Sequence, residues 1–175
     1  MGDNKSPVDD LTDGENKQLA PLLSRARWPL ESNVFRALVG MSVSVPIELA
    51  VFDNDQILLF YRRDEEYEGN HMPGTVLRGN ETVSDAINRL RVEELAGGYV
   101  TKPVSLGWIE VVKGSGPGQD PARHQISLLH ACWLVGPYTG SGVFFPLDDL
   151  PSDLLPHHRV LIPEIVARIE NRRSL

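Results

Sequence analysis

The segment from Thr82 to the glycines at 97 and 98 constrains the fold most, because it has the pattern of an amphipathic helix with a defined start and end. Thr82 and Asp85 have the three-residue spacing of a capping box, in which each side chain accepts a hydrogen bond from the other's backbone N–H. Glycine commonly follows the last residue of a helix. One apolar stripe lies between these signals and consists of Val83, Ala86, Ile87 and Leu90. This stripe is predicted to face the core.

Apolar runs and turn-forming residues alternate along the rest of the chain. A short helix is predicted at 31–41. Its apolar positions are Val34, Leu38 and Met41. The runs 45–52 and 57–62 surround an Asp-Asn-Asp turn and are typical of a β-hairpin. The other predicted elements are a polar loop at 64–70, a short strand at 71–77, strands at 99–112 and 125–135, and a terminal helix at 157–171.

Length and composition are those of one domain. The chain has 175 residues, of which 41% are hydrophobic, and this is enough for a single well-formed core. Residues 1–27 are polar and acidic without periodicity, so we predict a flexible tail there and a single domain at 28–175.

The charge balance argues against nucleic acid or an anionic membrane as the main partner. The 17 Lys and Arg residues stand against 24 Asp and Glu, a net charge of -7, so a small anionic ligand would need local arginines or a cation. No apolar stretch has the length of a secretion signal or a membrane span, which predicts a cytoplasmic protein. The only cysteine, Cys132, lies in an apolar run and is interpreted as strand core in a reducing compartment.

Two glutamates near the end of the predicted helix are candidates for chemistry. Glu94 falls on the apolar stripe, where a carboxylate is costly unless it is paired or bound to a cation. Glu93 lies at the edge of the stripe, one turn after Arg89, and an ordinary ion pair on the helix surface would also explain it. From the helix pattern alone, both a functional role and a solvated helix end remain open.

The longer segment 73–97 resembles the Nudix box, a loop and helix with glutamates at fixed spacing. Glu81 matches the first glutamate of that box, seven residues separate it from Arg89, and Glu93 and Glu94 match the paired glutamates. The resemblance covers about residues 40–170. It implies an α+β fold, a three-layer α/β/α sandwich around a mixed, partly curled β-sheet. It also implies a hydrolase that uses Mg²⁺ or Mn²⁺.

One departure from the box changes the expected metal site. Leu90 stands where the box has the glutamate after its arginine, so Leu90 and Glu94 offer one carboxylate where the family offers two. With fewer oxygen ligands, a single Mg²⁺ held partly by waters and substrate phosphates is favoured. Other box positions that differ are Thr75, Arg91 and Ala96.

The loss of this glutamate is shared by one Nudix branch, the GDP-mannose mannosyl hydrolases. The positions that match this branch are Pro73-Gly74, Glu81-Thr82, Arg89-Leu90 and Glu94-Leu95. The resemblance implies metal ligands at Gly74, through its carbonyl, and at Glu93 and Glu94. It implies a diphosphate contact at Arg62, and the further candidates for substrate contact are Arg78 and His71.

The general base is not carried over, because this chain has Thr139-Gly140 where that branch has a Gln-His pair. The candidates that could replace the base are His124 and either His157 or its neighbour His158. A surface or capping role would also explain each of them. His130 is interpreted as strand core.

The leading hypothesis is therefore a Mg²⁺-dependent hydrolase of a nucleoside diphosphate linked to another moiety, such as a sugar. Attack at phosphorus and attack at the anomeric carbon both remain open, as does a homodimer. The alternative is a Nudix-like domain without catalysis that binds a nucleotide or metabolite, or serves as an interaction surface.

Overall fold

Four helices and seven strands make up the part of the chain that the computed structural model describes, residues 12–96 and 98–173. The helices are α1 (Asp13–Arg25), α2 (Ser32–Gly40), α3 (Val83–Glu93) and α4 (His158–Arg173). The strands are β1 (Pro46–Asp53), β2 (Gln56–Arg63), β3 (Glu68–His71), β4 (Gly74–Val76), β5 (Val104–Val111), β6 (Gln125–Trp133) and β7 (Val143–Pro146). The described residues fall into two compact units, divided between Phe35 and Arg36.

Strand β1 lies at the centre of a mixed sheet. Its side chains are buried at every position except the last, the pattern of a strand that is covered on both faces. The sheet order is β3-β2-β1-β6-β5, with β1 parallel to β6 and antiparallel to β2. Both β1 and β2 change partner along their length, because β4 pairs with the start of β1 and β7 pairs with the start of β2. The predicted hairpin at 45–62 is confirmed.

Helices α3 and α4 cover opposite faces of this sheet. Alternate side chains of a strand point to opposite faces, and Leu49 and Val51 of β1 pack in one cluster with Leu90 of α3. Ala50 and Phe52 pack in a second cluster, together with α4 residues. The members of α4 in that cluster are Leu161, Ile162 and Ile165. The predicted α+β, three-layer sandwich is therefore confirmed.

The capping box of α3 is present as predicted. The side chain of Thr82 accepts from the Asp85 N–H at 3.2 Å, and the Asp85 carboxylate accepts from the Thr82 N–H at 3.1 Å. Three apolar positions of the helix, Ala86, Ile87 and Leu90, are buried. The helix ends at Glu93, and Glu94 is its C-cap. Ala96 has a φ of 48°, a left-handed conformation typical of residues that follow a helix.

Two strand predictions need correction. The predicted polar loop at 64–70 contains the start of β3, which pairs antiparallel with the end of β2, because backbone pairing there overrides the strand-poor composition. The strand predicted at 99–112 extends only over β5. Pro103 comes just before it, and proline has no N–H for a sheet hydrogen bond. The predicted terminal helix is confirmed as α4.

The N-terminal predictions are corrected in part. Residues 1–11 of the predicted tail lie outside the described residues, but 13–25 form α1, which begins with a capping box between Thr12 and Glu15. No residue of α1 is buried. The short helix predicted at 31–41 exists as α2, although Val34 and Met41 are exposed and Val39 is the buried position. The boundary at 27 stays a prediction. None of the described helices is long and apolar enough to cross a membrane.

Candidate functional site

A small pocket lies where β4, the middle of the sheet and the start of α4 meet. Its volume is about 90 Å³, and polar side chains from six separate segments reach it. Those that matter below are Glu48, Arg62, Tyr67, His71, Asp120, Arg123, His157 and His158. A pocket of this size suits a cation with its waters or one phosphate group, and not a whole nucleotide.

Glu48 of β1 is the buried carboxylate of this pocket. It lies opposite Gly74 of β4 in the sheet register, and a Cβ atom added at Gly74 would come within 3.0 Å of its Oε2. Glycine at 74 therefore lets the β4 backbone approach the carboxylate closely. Burial raises the pKa of Glu48 to about 8, and the nearby charge of Glu94 adds to this effect.

Glu94, the C-cap of α3, is a second carboxylate next to Gly74, although it is not one of the residues that line the pocket. It accepts a hydrogen bond from the backbone N–H of Gly74, yet burial raises its pKa to about 7. Its Oε2 is buried without a hydrogen-bond partner among the described residues. The C-terminus of a helix carries partial negative charge, which further disfavours an anion there. Glu94 thus has a buried carboxylate oxygen, as its place on the apolar stripe of the helix predicted.

The two carboxylates fit a divalent cation. Burial destabilises both charged forms, the charge of Glu94 adds to this at Glu48, and an uncompensated buried charge is costly. A cation placed between Glu48, Glu94 and the Gly74 carbonyl would supply the missing compensation, and oxygen ligands are those that Mg²⁺ prefers. Within 12–96 and 98–173, no group of three or more His, Cys, Asp or Glu side chains has a geometry that could hold a metal. The protein therefore offers two carboxylates, and water or substrate would complete the coordination.

Glu93, the other predicted metal ligand, lies apart from this pair. Its side chain is 52% exposed, and its carboxylate lies 3.5 Å from the guanidinium of Arg89, four residues earlier. This is the surface ion pair that the helix pattern also allowed. The structure does not bring Glu93 into the pocket, and its metal role stays a prediction.

The box residues Glu81 and Arg89 fix the shape of the loop before α3. Arg89 Nε and Nη2 donate to the two carboxylate oxygens of Glu81 at 2.8 and 2.9 Å. Its Nη1 donates to Thr75 Oγ1 at 2.6 Å, and Nη2 also donates to the Val76 carbonyl at 3.2 Å. The hydrogen bonds from Arg89 lower the pKa of Glu81 to about 2. These contacts tie α3 to β4 and so hold Gly74 next to Glu94.

Leu90 belongs to the core and does not reach the pocket. It is fully buried and packs in the cluster of Leu49, Val51, Leu58, Leu95 and Cys132. This position of α3 is therefore a core position. Cys132 lies in the same cluster, as predicted, and burial raises the pKa of its thiol to about 12, so it is not a nucleophile.

Three histidines meet at the pocket. The rings of His71 and His158 lie 6.0 Å apart, and those of His157 and His158 lie 4.3 Å apart. His158 Nδ1 accepts the Met72 N–H at 3.1 Å, and its Nε2 lies 3.9 Å from Glu48 Oε2. Burial lowers the pKa of His158 well below its usual value, so its ring is neutral near pH 7.

His157, a predicted catalytic base, is almost fully buried. Burial lowers its pKa to about 4, although Asp120 favours the charged form. Its Nε2 lies 3.8 Å from Asp120 Oδ2. A base with such a low pKa is weakly driven to accept a proton near neutrality. The ring is better suited to packing beside His158.

A layer of charged and aromatic residues forms the outer wall of the pocket. The Tyr67 hydroxyl donates to Asp120 at 2.8 Å, and the guanidinium of Arg62 lies 4.4 Å from the Tyr67 ring centre. Arg62 also forms an ion pair with Asp64. Arg123, mostly buried, donates to Glu66 at 2.9 Å. Arg62 thus reaches the pocket, as its predicted role requires.

Other predicted residues lie elsewhere. His124, the other predicted base, lies 2.9 Å from Glu110 and is partly exposed outside the pocket. Arg78 does not line the pocket either, and its backbone N–H donates to Glu81 at 3.0 Å. His130 is buried in β6, as predicted.

Glu48 and Asp120 are the site residues that the sequence reasoning missed. Glu48 carried a readable signal, since it is the single charged residue inside the apolar run 45–52 and a buried carboxylate requires compensation. Asp120 stands in a loop rich in glycine and proline and carries no comparable signal.

The fold is that of the Nudix hydrolases. No protein-family model and no curated protein matches the sequence. Among solved structures, a MutT NUDIX hydrolase from Burkholderia pseudomallei is similar with a TM-score of 0.59 and 22% identity, over 71% of this chain and 98% of that one.

Two further structures show the same fold. One is described as a possible asymmetric diadenosine tetraphosphate hydrolase and comes from Jonesia denitrificans. It is similar with a TM-score of 0.61 and 17% identity, over 74% of this chain and 96% of that one. The NUDIX domain of Shewanella oneidensis NrtR, complexed with ADP ribose, has a TM-score of 0.54 and 15% identity, over 86% of this chain and 97% of that one. At these identities the similarity establishes the fold.

Proposed function

We propose that this chain is a hydrolase of a nucleoside diphosphate linked to another moiety, and that it acts with one Mg²⁺ or Mn²⁺. The observation that carries the proposal is a pair of carboxylates beside Gly74: Glu48 of β1, which is buried, and Glu94 at the C-terminus of α3, which has one buried oxygen. Both carboxylates have raised pKa values, and one oxygen of Glu94 is unpaired. These are the features of a site that is complete only with a cation.

The reaction follows from the charges at the pocket. Glu48 and Glu94 would hold a divalent cation, which would neutralise the negative charge of the substrate's phosphate groups and of the leaving group. Arg62, with its side chain at the pocket wall, contacts the phosphate oxygens. Similar structures described as an ADP-ribose pyrophosphatase, a UDP-X diphosphatase and a domain in complex with ADP ribose support this class of substrate.

His71 is the histidine best placed to take a proton from water. Its Nδ1 lies 2.7 Å from the Met72 carbonyl, so Nδ1 carries the hydrogen and Nε2 is left as an acceptor. The ring is only partly buried, whereas His157 is inaccessible. Among the predicted site histidines, His71 is therefore proposed as base or substrate contact in preference to His157 and His124.

The first experiment is an activity assay of the full chain. Purified protein is incubated with Mg²⁺ or Mn²⁺ and a panel of nucleoside diphosphate sugars, dinucleotides and nucleoside triphosphates. We expect turnover that is lost in Glu94→Gln and kept in the matched control Glu93→Gln, because Glu93 is exposed and outside the pocket. Turnover of the Glu94→Gln variant at the wild-type rate would contradict the proposal.

The products of a nucleoside diphosphate sugar decide which atom is attacked. Attack at phosphorus yields a nucleoside monophosphate and a sugar phosphate, whereas attack at the anomeric carbon yields a nucleoside diphosphate and a free sugar. Reaction in H₂¹⁸O places the label on phosphate in the first case and on the sugar in the second.

The alternative function is a Nudix-like domain that binds a nucleotide or metabolite without hydrolysis. Two observations favour it: Leu90 is a core residue, and the described part of the chain has no cluster of three metal-ligating side chains. A saturable rise in melting temperature with ligand, without turnover of any substrate in the panel, would support this function. The cytoplasmic location and the homodimer stay predictions from the sequence.

A further inference from the structure

A groove on the α3 side of the sheet has no role in the proposed hydrolysis. It lies between α3 and strands β5 and β6, has a volume of about 530 Å³, and shares no lining residue with the Glu48 pocket. This volume is in the range of small-molecule sites. The groove is therefore large enough for a ligand that the pocket is too small to hold.

The charge of the groove is opposite to that of the chain. The residues that line it include Arg91 and Lys102 but no aspartate or glutamate, although the chain has a net charge of -7. Neither cation forms a hydrogen bond or an ion pair with another described residue. In an acidic protein, two cations without a carboxylate partner on one concave surface favour an anionic ligand.

Arg91 is the central observation. Its Nε atom is buried and has no hydrogen-bond partner among the described residues. Burial of an unpaired donor on a charged group costs free energy, and an anion in the groove would offset part of this cost by pairing with the rest of the guanidinium. The Nudix box has an aliphatic residue at this position, so the fold itself does not require an arginine there.

His130 provides a second buried polar group on the same side. It alternates with Cys132 along β6, so the two side chains point to the same face of the sheet, and the charge of Arg91 acts on Cys132. His130 Nδ1 lies 3.3 Å from the Leu128 carbonyl, which leaves Nε2 of the neutral ring as an acceptor for a hydroxyl group. Only 6% of the residue is exposed, and it lines the groove.

We propose that this groove binds a small organic phosphate with a hydroxyl-bearing carbon skeleton, of the sugar phosphate type. The guanidinium of Arg91 suits a phosphate because its donors match two oxygens at once, and Lys102 adds charge at the rim. Asn88 and Ser84 of α3, with His130, contact the hydroxyl groups. The site does not depend on the proposed hydrolysis, because it shares no residue with the Glu48 pocket.

The test is a titration of the ¹⁵N-labelled full chain, followed by NMR in EDTA so that the carboxylate pocket holds no divalent cation. The probes are ribose 5-phosphate, inorganic phosphate and ribose. We expect ribose 5-phosphate to shift amide signals at 84–91 and 101–105 saturably, inorganic phosphate to bind there more weakly, and ribose alone to cause no shift. Equal affinity for ribose 5-phosphate and inorganic phosphate would overturn the role of the carbon skeleton.

Two variants and one control make the result decisive. Arg91→Leu introduces the residue type of the Nudix box and is expected to keep the fold while it weakens ribose 5-phosphate binding about tenfold or more. Lys102→Gln at the exposed rim is expected to weaken binding less. Arg172→Leu, an equal charge change at an exposed position of α4, should leave it unchanged.

Failure of this proposal is distinguishable from failure of the hydrolase. Amide shifts confined to the Glu48 pocket, no shifts at all, or equal binding by Arg91→Leu and wild type would overturn the groove site. None of these outcomes bears on turnover of the substrate panel.

Discussion

Replacement of Glu48 by glutamine should change how the stability of the metal-free protein depends on pH. The pKa of Glu48 is about 8 in the folded state against 4.5 as its ordinary value, so the folded protein binds the proton more tightly than the unfolded chain. The free energy of unfolding therefore falls as the pH rises from about 4.5 to about 8. Glutamine has no proton to lose, so Glu48→Gln should remove this contribution.

The size of the effect follows from the width of the shift. Inside the window, one such group changes the free energy of unfolding by at most about 1.4 kcal/mol per pH unit. Between pH 6.5 and 7.5, close to the upper end of the window, the contribution of Glu48 is about 1 kcal/mol. For a domain of this length, that is a change in melting temperature of roughly 2 to 4 °C.

The buried histidines act in the opposite direction. The lowered pKa values of His157 and His158 favour the folded state as the pH rises through 6.5, and this contribution is complete only near pH 7.5, where the rings are neutral in the unfolded chain as well. Both rings are present in wild type and in Glu48→Gln, so the difference between the two slopes reports on Glu48.

The assay is urea or thermal unfolding in EDTA at several pH values between 6.5 and 8. We expect the wild type to lose stability with rising pH, Glu48→Gln to show a flatter dependence, and Glu93→Gln to behave like the wild type. Millimolar Mg²⁺ should restore the stability of the wild type at pH 8 and not that of Glu48→Gln. The same slope in wild type and Glu48→Gln would refute the reasoning.

Two further perturbations test the α3 segment. Arg89→Met should destabilise the protein by about 2 to 4 kcal/mol, because Glu81 is left without its partner. In the wild type, the stability that this pair contributes should be lost as the pH falls from 4.5 toward 2, since the pKa of Glu81 is lowered to about 2. Urea unfolding measures both effects, and a loss below 0.5 kcal/mol would contradict the first. Leu90→Glu introduces the residue that the Nudix box has at this position. It should lower the free energy of unfolding by roughly 3 to 5 kcal/mol without raising turnover, because Leu90 is fully buried in an apolar cluster. Activity and unfolding are measured on the same preparation.

Leu90 shows which structural features a sequence motif predicts and which depend on distant residues. The sequence identified the missing glutamate and predicted a reduced metal site. The apolar stripe predicted that Leu90 faces the core, but it did not indicate which residues pack opposite it, here Leu49 and Leu58. The same limit applies to Glu93, whose spacing matches a metal ligand while its side chain pairs with Arg89.

The histidines show the same limit for groups that are distant in sequence. From the sequence, His124 and His157 were equally plausible as the base, since both follow loops and have polar neighbours. The structure separates them, because chain folding brings His157 to the pocket that Glu48 lines and leaves His124 beside Glu110. A single sequence contains no direct signal of such long-range proximity.

The sequence by itself determined the local features: the capping box of α3, its apolar stripe, the hairpin of β1 and β2, and the placement of the Glu94 carboxylate at the end of an apolar helix face. These depend on neighbours within a few residues, so propensity and periodicity are sufficient to reveal them. Only the tertiary structure decided that Glu48 and Glu94 both lie next to Gly74, because that arrangement joins three segments. The compensation that buried charges require can be recognised only when all of their neighbours are known.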